Sequence, residues 1–321
     1  MSFVATAAKR QRSEVKLCQL SEQERKLFHD AKVKEIDSWL STDTVTRTLR
    51  HQIPQENLLR CRWILTWQPT DPSEITKAGK PRHVPKARLV LLGYEDPLVH
   101  EIPRDSPTMS KFTRMLILQT AASQKRDIES FDICTAFLRG SEQSERVLGI
   151  EPPADMRDRT RLKPQEVLKL PKGAYGRADA PYLWFMELKA GLEQVGLIQS
   201  PFDSCAFVLP HPTTKRTEGL IGVHVDDGPC CGSEYFKQKL QELAKRFPFG
   251  SHEKCMFIFT GLRSEQQEDY SIHINPAQYI KDFHSSSLSR ERRSQPESPV
   301  LGCERHSLRA MTSVCRCEQA S

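Results

Sequence analysis

The stretch GLIGVHVDDGPCCG, Gly219 to Gly232, places two adjacent aspartates at the end of an apolar run. Residues 220–225 are mostly apolar, which predicts a strand that packs against a core and holds Asp226 at its buried end. Adjacent carboxylates about 4 Å apart repel by about 1 kcal/mol in water, and by several-fold more in a partly desolvated cleft. An Asp-Gly hairpin turn explains the pattern on backbone grounds alone. The buried flank favours a second interpretation, in which a cation offsets the two charges.

A third aspartate has a similar setting. Asp132 lies between Phe131 and Ile133 in SFDICTAFLRG, residues 130–140. An aspartate inside an apolar strand is costly unless it is paired or binds a metal. If this strand lies beside the first, three carboxylates converge. Hard oxygen ligands of this kind suit Mg²⁺, and two such ions form the clamp that is used in phosphoryl transfer.

Composition narrows the class of protein. The 321 residues are 38% apolar and 27% charged, with a net charge of +6, which permits a polyanionic partner. The sequence has no run of about 18 apolar residues and no apolar segment at its start, so we expect neither a membrane span nor secretion. The ten cysteines are scattered, and we interpret them as reduced thiols of a cytoplasmic or nuclear protein. The basic run KRQR in residues 9–12 is either a nuclear address or a solvated tail.

Helices and strands alternate without a regular βαβ rhythm, which predicts an α+β fold with an antiparallel sheet. Residues 1–20 are expected to be disordered, and Ser21 with Glu24 predicts a capping box that begins a helix. A helix after Ser110 is expected to bury a stripe of apolar side chains, and residues 155–161 are interpreted as a polar loop. The stripe comprises Phe112, Met115, Leu116, Leu118 and Ala122. Further helices are predicted over 180–195 and 233–247.

Nine short blocks, taken in order, resemble the reverse transcriptase domain of copia-type (Pseudoviridae) LTR retrotransposon Pol polyproteins. The first resembles the family's W-x-x-A…E helix through Phe28, Ala31 and Glu35. The others are RWILTW (62–67), KARLVLLGY (86–94), SPTMSKFTRMLILQTAA (106–122), DICTAFLRG (132–140), GAYGRADAPYLWF (173–185), DSCAF (203–207), HVDD (224–227) and FTGL (259–262).

The resemblance implies a right-hand polymerase. Its reverse transcriptase domain would occupy residues 21–284, with a partial thumb from residue 263 and a flexible, truncated end over 285–321. The fingers would take residues 28–105 and 141–175, and the palm residues 106–140 and 176–262.

The same resemblance implies an RNA-directed DNA polymerase that adds dNTPs to a primer 3′-hydroxyl on an RNA or DNA template. Asp132, Asp226 and Asp227 match the three catalytic carboxylates, which in the family bind two Mg²⁺ ions. Asp132 and Asp226 would bridge both ions, and Asp227 would be the most peripheral.

Several further residues match substrate-binding positions of the family. Phe137 matches the aromatic side chain that excludes a 2′-hydroxyl, although it also reads as an ordinary core phenylalanine. One of Lys86 and Arg88, which alternate on a predicted strand, would reach the triphosphate, unless both merely line a solvated face. The turn formed by Gly173, Tyr175 and Gly176 matches the segment beside the templating base. Lys237 or Lys239 would be either a proton donor to pyrophosphate or a solvated lysine.

Departures from the family pattern sustain alternatives. His224 stands on the primer side where the family has tyrosine, and Arg177-Ala178-Asp179 replaces Leu-Lys-Gln. No spaced set of acidic residues follows Asp282, so we expect no RNase H domain. A truncated, non-catalytic remnant that only binds nucleic acid electrostatically is therefore the competing hypothesis. A third hypothesis is a zinc-binding regulatory module, with Cys303, His306, Cys315 and Cys317 as the four ligands.

Overall fold

Three antiparallel or largely antiparallel sheets organise the part of the protein that the computed structural model describes, residues 14–69, 83–140, 142 and 146–276. These residues all belong to one unit, Met1–Gln278. The second unit, Tyr279–Ser321, lies outside the described residues, as do the KRQR run, the proposed zinc ligands and the end expected to be flexible. In the described ranges, no helix has the length and apolar character needed to cross a membrane.

The helices and strands follow one another through the whole described chain. The α-helices are α1 (Glu22–Ser41), α2 (Lys111–Ser123), α3 (Ala154–Thr160), α4 (Ala180–Gln194) and α5 (Glu234–Arg246). The first seven strands are β1 (Thr46–Leu49), β2 (Leu58–Pro69), β3 (His83–Leu91), β4 (Ile128–Ile133), β5 (Gly149–Glu151), β6 (Glu166–Lys169) and β7 (Ile198–Gln199). The others are β8 (Ala206–Pro210), β9 (Thr217–Gly222), β10 (Asp227–Gly232), β11 (Phe249–Lys254), β12 (Met256–Phe259), β13 (Leu262–Gln266) and β14 (Ile272–Asn275).

The central sheet has six strands in the order β11-β4-β10-β9-β8-β7, and every neighbouring pair is antiparallel. Side chains alternate between its two faces. Ile221 and Cys230 join the cluster that includes α4 and α5, whereas Leu220 and Cys231 contact the cluster formed with α2 and β12. Both faces are therefore covered, which explains why β9 and β10 read as continuous apolar runs.

A second sheet has the order β1-β6-β5-β2-β3, in which only β2 and β5 are parallel. Ile36 and Trp39 of α1 pack with Leu89 and Leu91 of β3 in one buried cluster. Because side chains on β3 alternate, burying its odd-numbered residues leaves the even positions, Lys86 among them, exposed. The third sheet, β12-β13-β14, is a short antiparallel meander.

The α+β fold class predicted from the sequence is confirmed. The capping box is also confirmed: Ser21 Oγ accepts a hydrogen bond from the Glu24 amide at 3.3 Å, and the Glu24 carboxylate accepts one from the Ser21 amide at 2.9 Å. The helices predicted over 180–195 and 233–247 form as α4 and α5. The boundary expected at residue 263 falls within the hairpin that joins β12 to β13.

Most of the apolar stripe predicted for α2 is not buried, although Leu118 is. Phe112, Met115 and Leu116 are 73%, 47% and 45% exposed. The buried face includes Thr113, whose hydroxyl donates a hydrogen bond to the Asp203 carboxylate. Because Thr113 is polar, the buried face of the helix does not appear as an apolar stripe in the sequence. The buried set is Thr113, Ile117, Leu118 and Ala121.

Two other segments also differ from expectation. Residues 14–20 are ordered rather than disordered, since the Val15 amide donates a hydrogen bond to the Leu65 carbonyl at 2.8 Å. The segment interpreted as a polar loop is helix α3, anchored by the fully buried Met156 and by a Lys32–Asp155 ion pair of 2.9 Å. A single buried side chain in a short polar segment leaves no periodic signal, which is why the sequence did not reveal this helix.

Candidate active site

The two adjacent aspartates lie in a tight hairpin between β9 and β10. His224 and Asp227 face each other across it, and the His224 amide donates a hydrogen bond to the Asp227 carbonyl at 2.8 Å. Val225 has a φ of 64°, a left-handed conformation that β-branched residues strongly disfavour. Such strain costs about 1–3 kcal/mol and persists only where the surroundings impose it. Tertiary contacts, rather than local backbone preference, therefore hold the turn residue that precedes Asp226.

Strand register brings the third aspartate to this hairpin. Asp132 of β4 is the direct cross-strand partner of Asp227 in β10, so both side chains lie on the same face of the sheet. The Asp226 carbonyl accepts a hydrogen bond from the Ile133 amide at 2.7 Å, which ties the turn to the end of β4. The structure thus brings together the three carboxylates that were predicted from separate stretches of sequence.

Burial and mutual repulsion perturb this carboxylate cluster. Burial raises the pKa of Asp132, and the neighbouring charges of Asp226 and Asp227 raise it further. Burial is also the main cause of the raised pKa of Asp226, with the Asp227 charge adding to it. Like charges that share a partly desolvated site disfavour one another's ionised form. A nearby positive charge would therefore favour the ionised forms of Asp132 and Asp226.

The donor set fits a divalent cation. Asp227 Oδ1 is buried and has no hydrogen-bond partner, which leaves an acceptor available to a ligand. Three carboxylates are the hard oxygen donors that Mg²⁺ prefers. Across the described ranges, however, no three histidine, cysteine, aspartate or glutamate side chains are arranged closely enough to hold an ion. The aspartates are thus gathered at one place without being preset around a metal.

Two cations of the neighbouring sheet act on the same cluster. Lys86 and Arg88 occupy alternate exposed positions of β3. The positive charge of Lys86 lowers the pKa of Asp132, and that of Arg88 lowers the pKa of Asp226, in both cases against the larger effect of burial. Neither cation forms an ion pair with any residue that the structure describes. Their charges therefore act on the aspartates from the neighbouring sheet.

The turn at residues 173–176 packs tightly against β3. The Leu91 amide donates a hydrogen bond to the Tyr175 carbonyl at 2.7 Å. Gly176 has a φ of 88°, and a Cβ at that position would lie 2.2 Å from the Leu91 carbonyl oxygen. Only glycine allows both this conformation and this approach. A Cβ on Gly173 would likewise lie 2.9 Å from the Phe137 carbonyl oxygen, so the turn is wedged between two elements.

Phe137 lies on the 3₁₀ turn Ala136–Arg139, directly after β4. The turn begins at Thr135, which has a left-handed φ of 53° and redirects the chain out of the sheet. The ring of Phe137 is partly buried and makes an edge-to-face contact with Tyr175, with 5.7 Å between ring centroids. Phe137 follows Asp132 by five residues, and its ring contacts the 173–176 turn through Tyr175.

His224 faces the same cluster from the hairpin. Its Nδ1 atom lies 3.5 Å from Asp227 Oδ1, and this interaction raises the pKa of the imidazole. The distance is that of an ion pair rather than a good hydrogen bond, which agrees with the unsatisfied Oδ1 atom. The ring also packs edge-on against Phe259, at 6.1 Å between centroids. The histidine therefore has a packing role on the side of the hairpin that faces β12.

The family model described as reverse transcriptase (RNA-dependent DNA polymerase) matches residues 61–286. The chain belongs to the reverse transcriptase family. Pol polyproteins from transposons RE2 and RE1 of Arabidopsis thaliana are 28% and 27% identical to it over 235 and 231 residues. These matches cover 72% and 70% of this chain, but 15% and 14% of the polyproteins, so the chain spans a small part of their length. The resemblance to copia-type reverse transcriptase domains is confirmed.

Other similarities are more distant. The Pol polyprotein from transposon TNT 1-94 of Nicotiana tabacum is 27% identical over 150 residues, which is 46% of this chain and 10% of that protein. Telomerase from Candida albicans, solved with a fragment of telomeric RNA, covers 82% of this chain and 54% of its own, at 9% identity and a TM-score of 0.39. A foamy viral protease–reverse transcriptase with double-stranded DNA covers 87% and 48%, at 12% identity and a TM-score of 0.37. Such TM-scores are too low to define the fold, which rests on the sheet topology.

Trp184 was not recognised from the sequence as a functional residue. Its indole Nε1–H donates a hydrogen bond of 2.6 Å to the Val225 carbonyl, and the side chain is only 1% exposed. The bond holds the strained residue that precedes Asp226. Trp184 lies on the apolar face of α4, as an ordinary core residue would. The apolar pattern of the helix therefore did not predict its contact with Val225.

The departure at residues 177–179 is explained by a buried ion pair. Arg177 Nε lies 2.6 Å from Asp179 Oδ1, and Arg177 Nη2 lies 2.9 Å from Asp179 Oδ2. Asp179 also faces Arg146 at 4.0 Å, and Arg146 in turn pairs with the buried Asp96. A fork-to-fork pair of this kind is geometrically specific. The two unusual residues therefore compensate each other and brace the start of α4.

Lys237 and Lys239 do not reach the carboxylates. Lys237 Nζ lies 3.2 Å from Asp127 Oδ2, at the end of β4 opposite to Asp132. Lys239 pairs with Glu242 at 2.9 Å on the surface of α5. The hypothesis that one of them serves as proton donor was therefore wrong, because their helix packs beside the far end of the strand.

Proposed function

We propose that this chain is the RNA-directed DNA polymerase domain of a copia-type retrotransposon Pol polyprotein, which adds dNTPs to a primer 3′-hydroxyl on an RNA or DNA template. The observation that carries the proposal is the register of β4 and β10. It sets Asp132 opposite Asp227, with Asp226 at the adjoining turn, and the positive charges of Lys86 and Arg88 act on the group. A carboxylate cluster beside cationic side chains is suited to a metal–triphosphate complex, since each part neutralises the other.

The metal ligands in this proposal are Asp132, Asp226 and Asp227. Bound there, two Mg²⁺ ions would neutralise charge at the primer hydroxyl and on the triphosphate. The unsatisfied Asp227 Oδ1 and the raised pKa values of Asp132 and Asp226 support this assignment, since a cation would relieve both. In line with the family, Asp132 and Asp226 would be the principal ligands of the ions and Asp227 a more peripheral one.

Other residues would bind and select the incoming nucleotide. Lys86 and Arg88 would hold the triphosphate, with the guanidinium of Arg88 better suited to a bidentate contact. The ring of Phe137 would lie under the sugar and exclude a 2′-hydroxyl. Gly173 and Gly176, with Tyr175 between them, would allow the backbone to approach the templating base. His224 would lie on the primer side.

The division of the molecule follows from this assignment. We propose that the sheet around β2 and β3 forms the fingers, over residues 28–105 and 141–175. The six-stranded sheet would form the palm, over residues 106–140 and 176–262, with part of a thumb beyond it. A template and dNTPs are available in the cytoplasm and the nucleus, and we propose either as the site of action.

A primer-extension assay tests the proposal directly. With Mg²⁺, the purified protein is expected to extend a DNA primer on an RNA template, and Asp226→Asn is expected to abolish extension. Asp127→Asn is the matched control, because Asp127 precedes the same strand β4 but pairs with Lys237 at the other end. Extension that is unaffected by Asp226→Asn would refute the mechanism.

The competing hypothesis predicts a different result in the same experiment. A non-catalytic remnant would bind the primer–template duplex with a steep dependence on salt, as phosphate contacts require, and would incorporate no dNTP. Asp226→Asn would then strengthen or leave unchanged the binding, because removing a negative charge does not weaken contacts to phosphates. The two functions are thus separated by incorporation rather than by binding.

A further inference from the structure

Tyr175 contacts two residues to which different tasks are assigned. Its ring meets the ring of Phe137 edge-to-face, at 5.7 Å between centroids and an interplanar angle of 89°. The guanidinium carbon of Arg88 lies 5.9 Å from the centroid of the same ring, within the range of a cation–π contact. Tyr175 therefore lies between Phe137, the proposed sugar-selecting residue, and Arg88, the proposed triphosphate ligand, and contacts both.

The backbone of Tyr175 is fixed to the strand that carries Arg88. The Leu91 amide donates a hydrogen bond of 2.7 Å to the Tyr175 carbonyl, and Gly176 packs directly on Leu91. Tyr175 packs against the buried cluster of the β2–β3 sheet, whereas Phe137 packs against that of the six-stranded sheet. The ring pair is thus a contact between two cores.

The chemical character of Tyr175 suits a permanent spacer. Burial, followed by the nearby charge of Glu35, raises the pKa of its phenol to about 12. The hydroxyl therefore stays neutral at any working pH, and the ring keeps the same charge whether or not Arg88 is engaged. The ring face attracts the guanidinium while its contact with Phe137 is apolar, and both interactions depend on an aromatic ring.

We propose that Tyr175 is a positioning residue that couples triphosphate binding to sugar selection, by holding the ring of Phe137 and the guanidinium of Arg88 in one fixed relation. This inference rests on the proposed function. Without the aromatic ring, Phe137 gains freedom to turn away from the sugar position, and a ribonucleotide becomes easier to accommodate. Arg88 loses its support at the same time.

The test is the ratio of kcat/KM for a dNTP to that for the rNTP of the same base, measured on one primer–template. Tyr175→Leu is expected to lower this ratio about 2- to 10-fold, the worth of one edge-to-face aromatic pair. Tyr175→Phe keeps the ring and is expected to keep the ratio. A merely structural role would slow both nucleotides alike and leave the ratio unchanged.

A double-mutant comparison shows whether the effect passes through Phe137. In a Phe137→Ala background, Tyr175→Leu is expected to leave the ratio unchanged, because the ring that it positions is already gone. If Tyr175→Leu fails to fold, Tyr175→Met replaces it, since the flexible thioether fills an irregular space without an aromatic face.

The possible outcomes separate the two proposals. A wild-type protein that extends primers, with a ratio that neither Tyr175→Leu nor Tyr175→Met lowers, would overturn the inference and leave the proposed function intact. An equal drop in the Phe137→Ala background would also overturn it. No extension by the wild-type protein would refute the proposed function itself, and the inference with it.

Discussion

Replacing Trp184 by phenylalanine removes the hydrogen bond that holds the hairpin tip. The indole donates to the Val225 carbonyl at 2.6 Å, and Val225 is strained at a φ of 64°. Leaving a buried carbonyl without a partner costs about 1–3 kcal/mol. The strain at Val225, about 1–3 kcal/mol by itself, then loses the contact that opposes its release.

The expected effect on catalysis follows from that energy. If the bond keeps Asp226 in the competent turn, its loss lowers kcat for dNTP addition about 5- to 150-fold, which corresponds to 1–3 kcal/mol. KM for dNTP is expected to change little, because Lys86 and Arg88 lie on the other sheet. The assay is single-nucleotide primer extension over a range of dNTP concentrations, together with thermal unfolding of each variant.

Trp39→Phe is the matched control for this prediction. Trp39 is fully buried, and its indole donates a hydrogen bond to Glu35 at 3.1 Å in a different cluster. Both substitutions therefore remove a buried indole and one hydrogen bond, and we expect similar losses of stability. A drop in kcat of the same size in both variants, or no drop in Trp184→Phe, would refute the assignment of Trp184 to the hairpin.

Three further predictions concern the rest of the molecule. Arg177→Ala leaves Asp179 buried without its main partner and is expected to lower the free energy of unfolding in urea by about 3–5 kcal/mol. The double variant Arg177→Leu, Asp179→Gln carries the residues of the family pattern and should lose clearly less stability. Equal losses in the two variants would contradict the pairing. Burial raises the pKa of Glu35, so its stabilising contribution is present below pH 4.5 and is lost as the pH rises through the folded-state pKa. Glu35→Gln keeps an acceptor for Trp39 and should therefore gain stability over the wild type as the pH rises above 4.5; unfolding midpoints that shift in parallel would disprove this. Lys237→Gln should leave the extension rate unchanged, and a loss greater than tenfold would restore the lysine as a candidate proton donor.

Local signals in the sequence were sufficient for much of the fold. The capping box at Ser21 and the N-cap at Ser110 depend on neighbours only three residues away, and both form as predicted. The alternation on β3 likewise predicted that Lys86 and Arg88 share one face. Helix α2 shows the limit of such signals, because the buried Thr113 owes its position to Asp203, which is 90 residues distant. Helix α3 lacks periodicity altogether and is held by tertiary contacts.

The candidate site divides in the same way. The sequence shows Asp132 inside an apolar strand and Asp226 and Asp227 at the end of another. The family resemblance assigned all three to one site. The contacts of Tyr175 with Phe137 and Arg88 were not visible, since they join a turn, a bend and a strand from distant parts of the chain. In the sequence, Arg177 and Asp179 were only two differences from the family pattern, and the structure shows that they form an ion pair.

The positions of charged residues within apolar strands can be read from the chain alone, since strand periodicity is a local property. The tertiary fold sets Asp132 opposite Asp227, because register depends on how both faces of β4 and β10 are covered. It also decided that Trp184, 41 residues before Val225, supports the strained turn. A hydrogen bond between such distant residues exists only after α4 has packed on the sheet, and so packing, rather than local preference, gives the hairpin HVDD its shape.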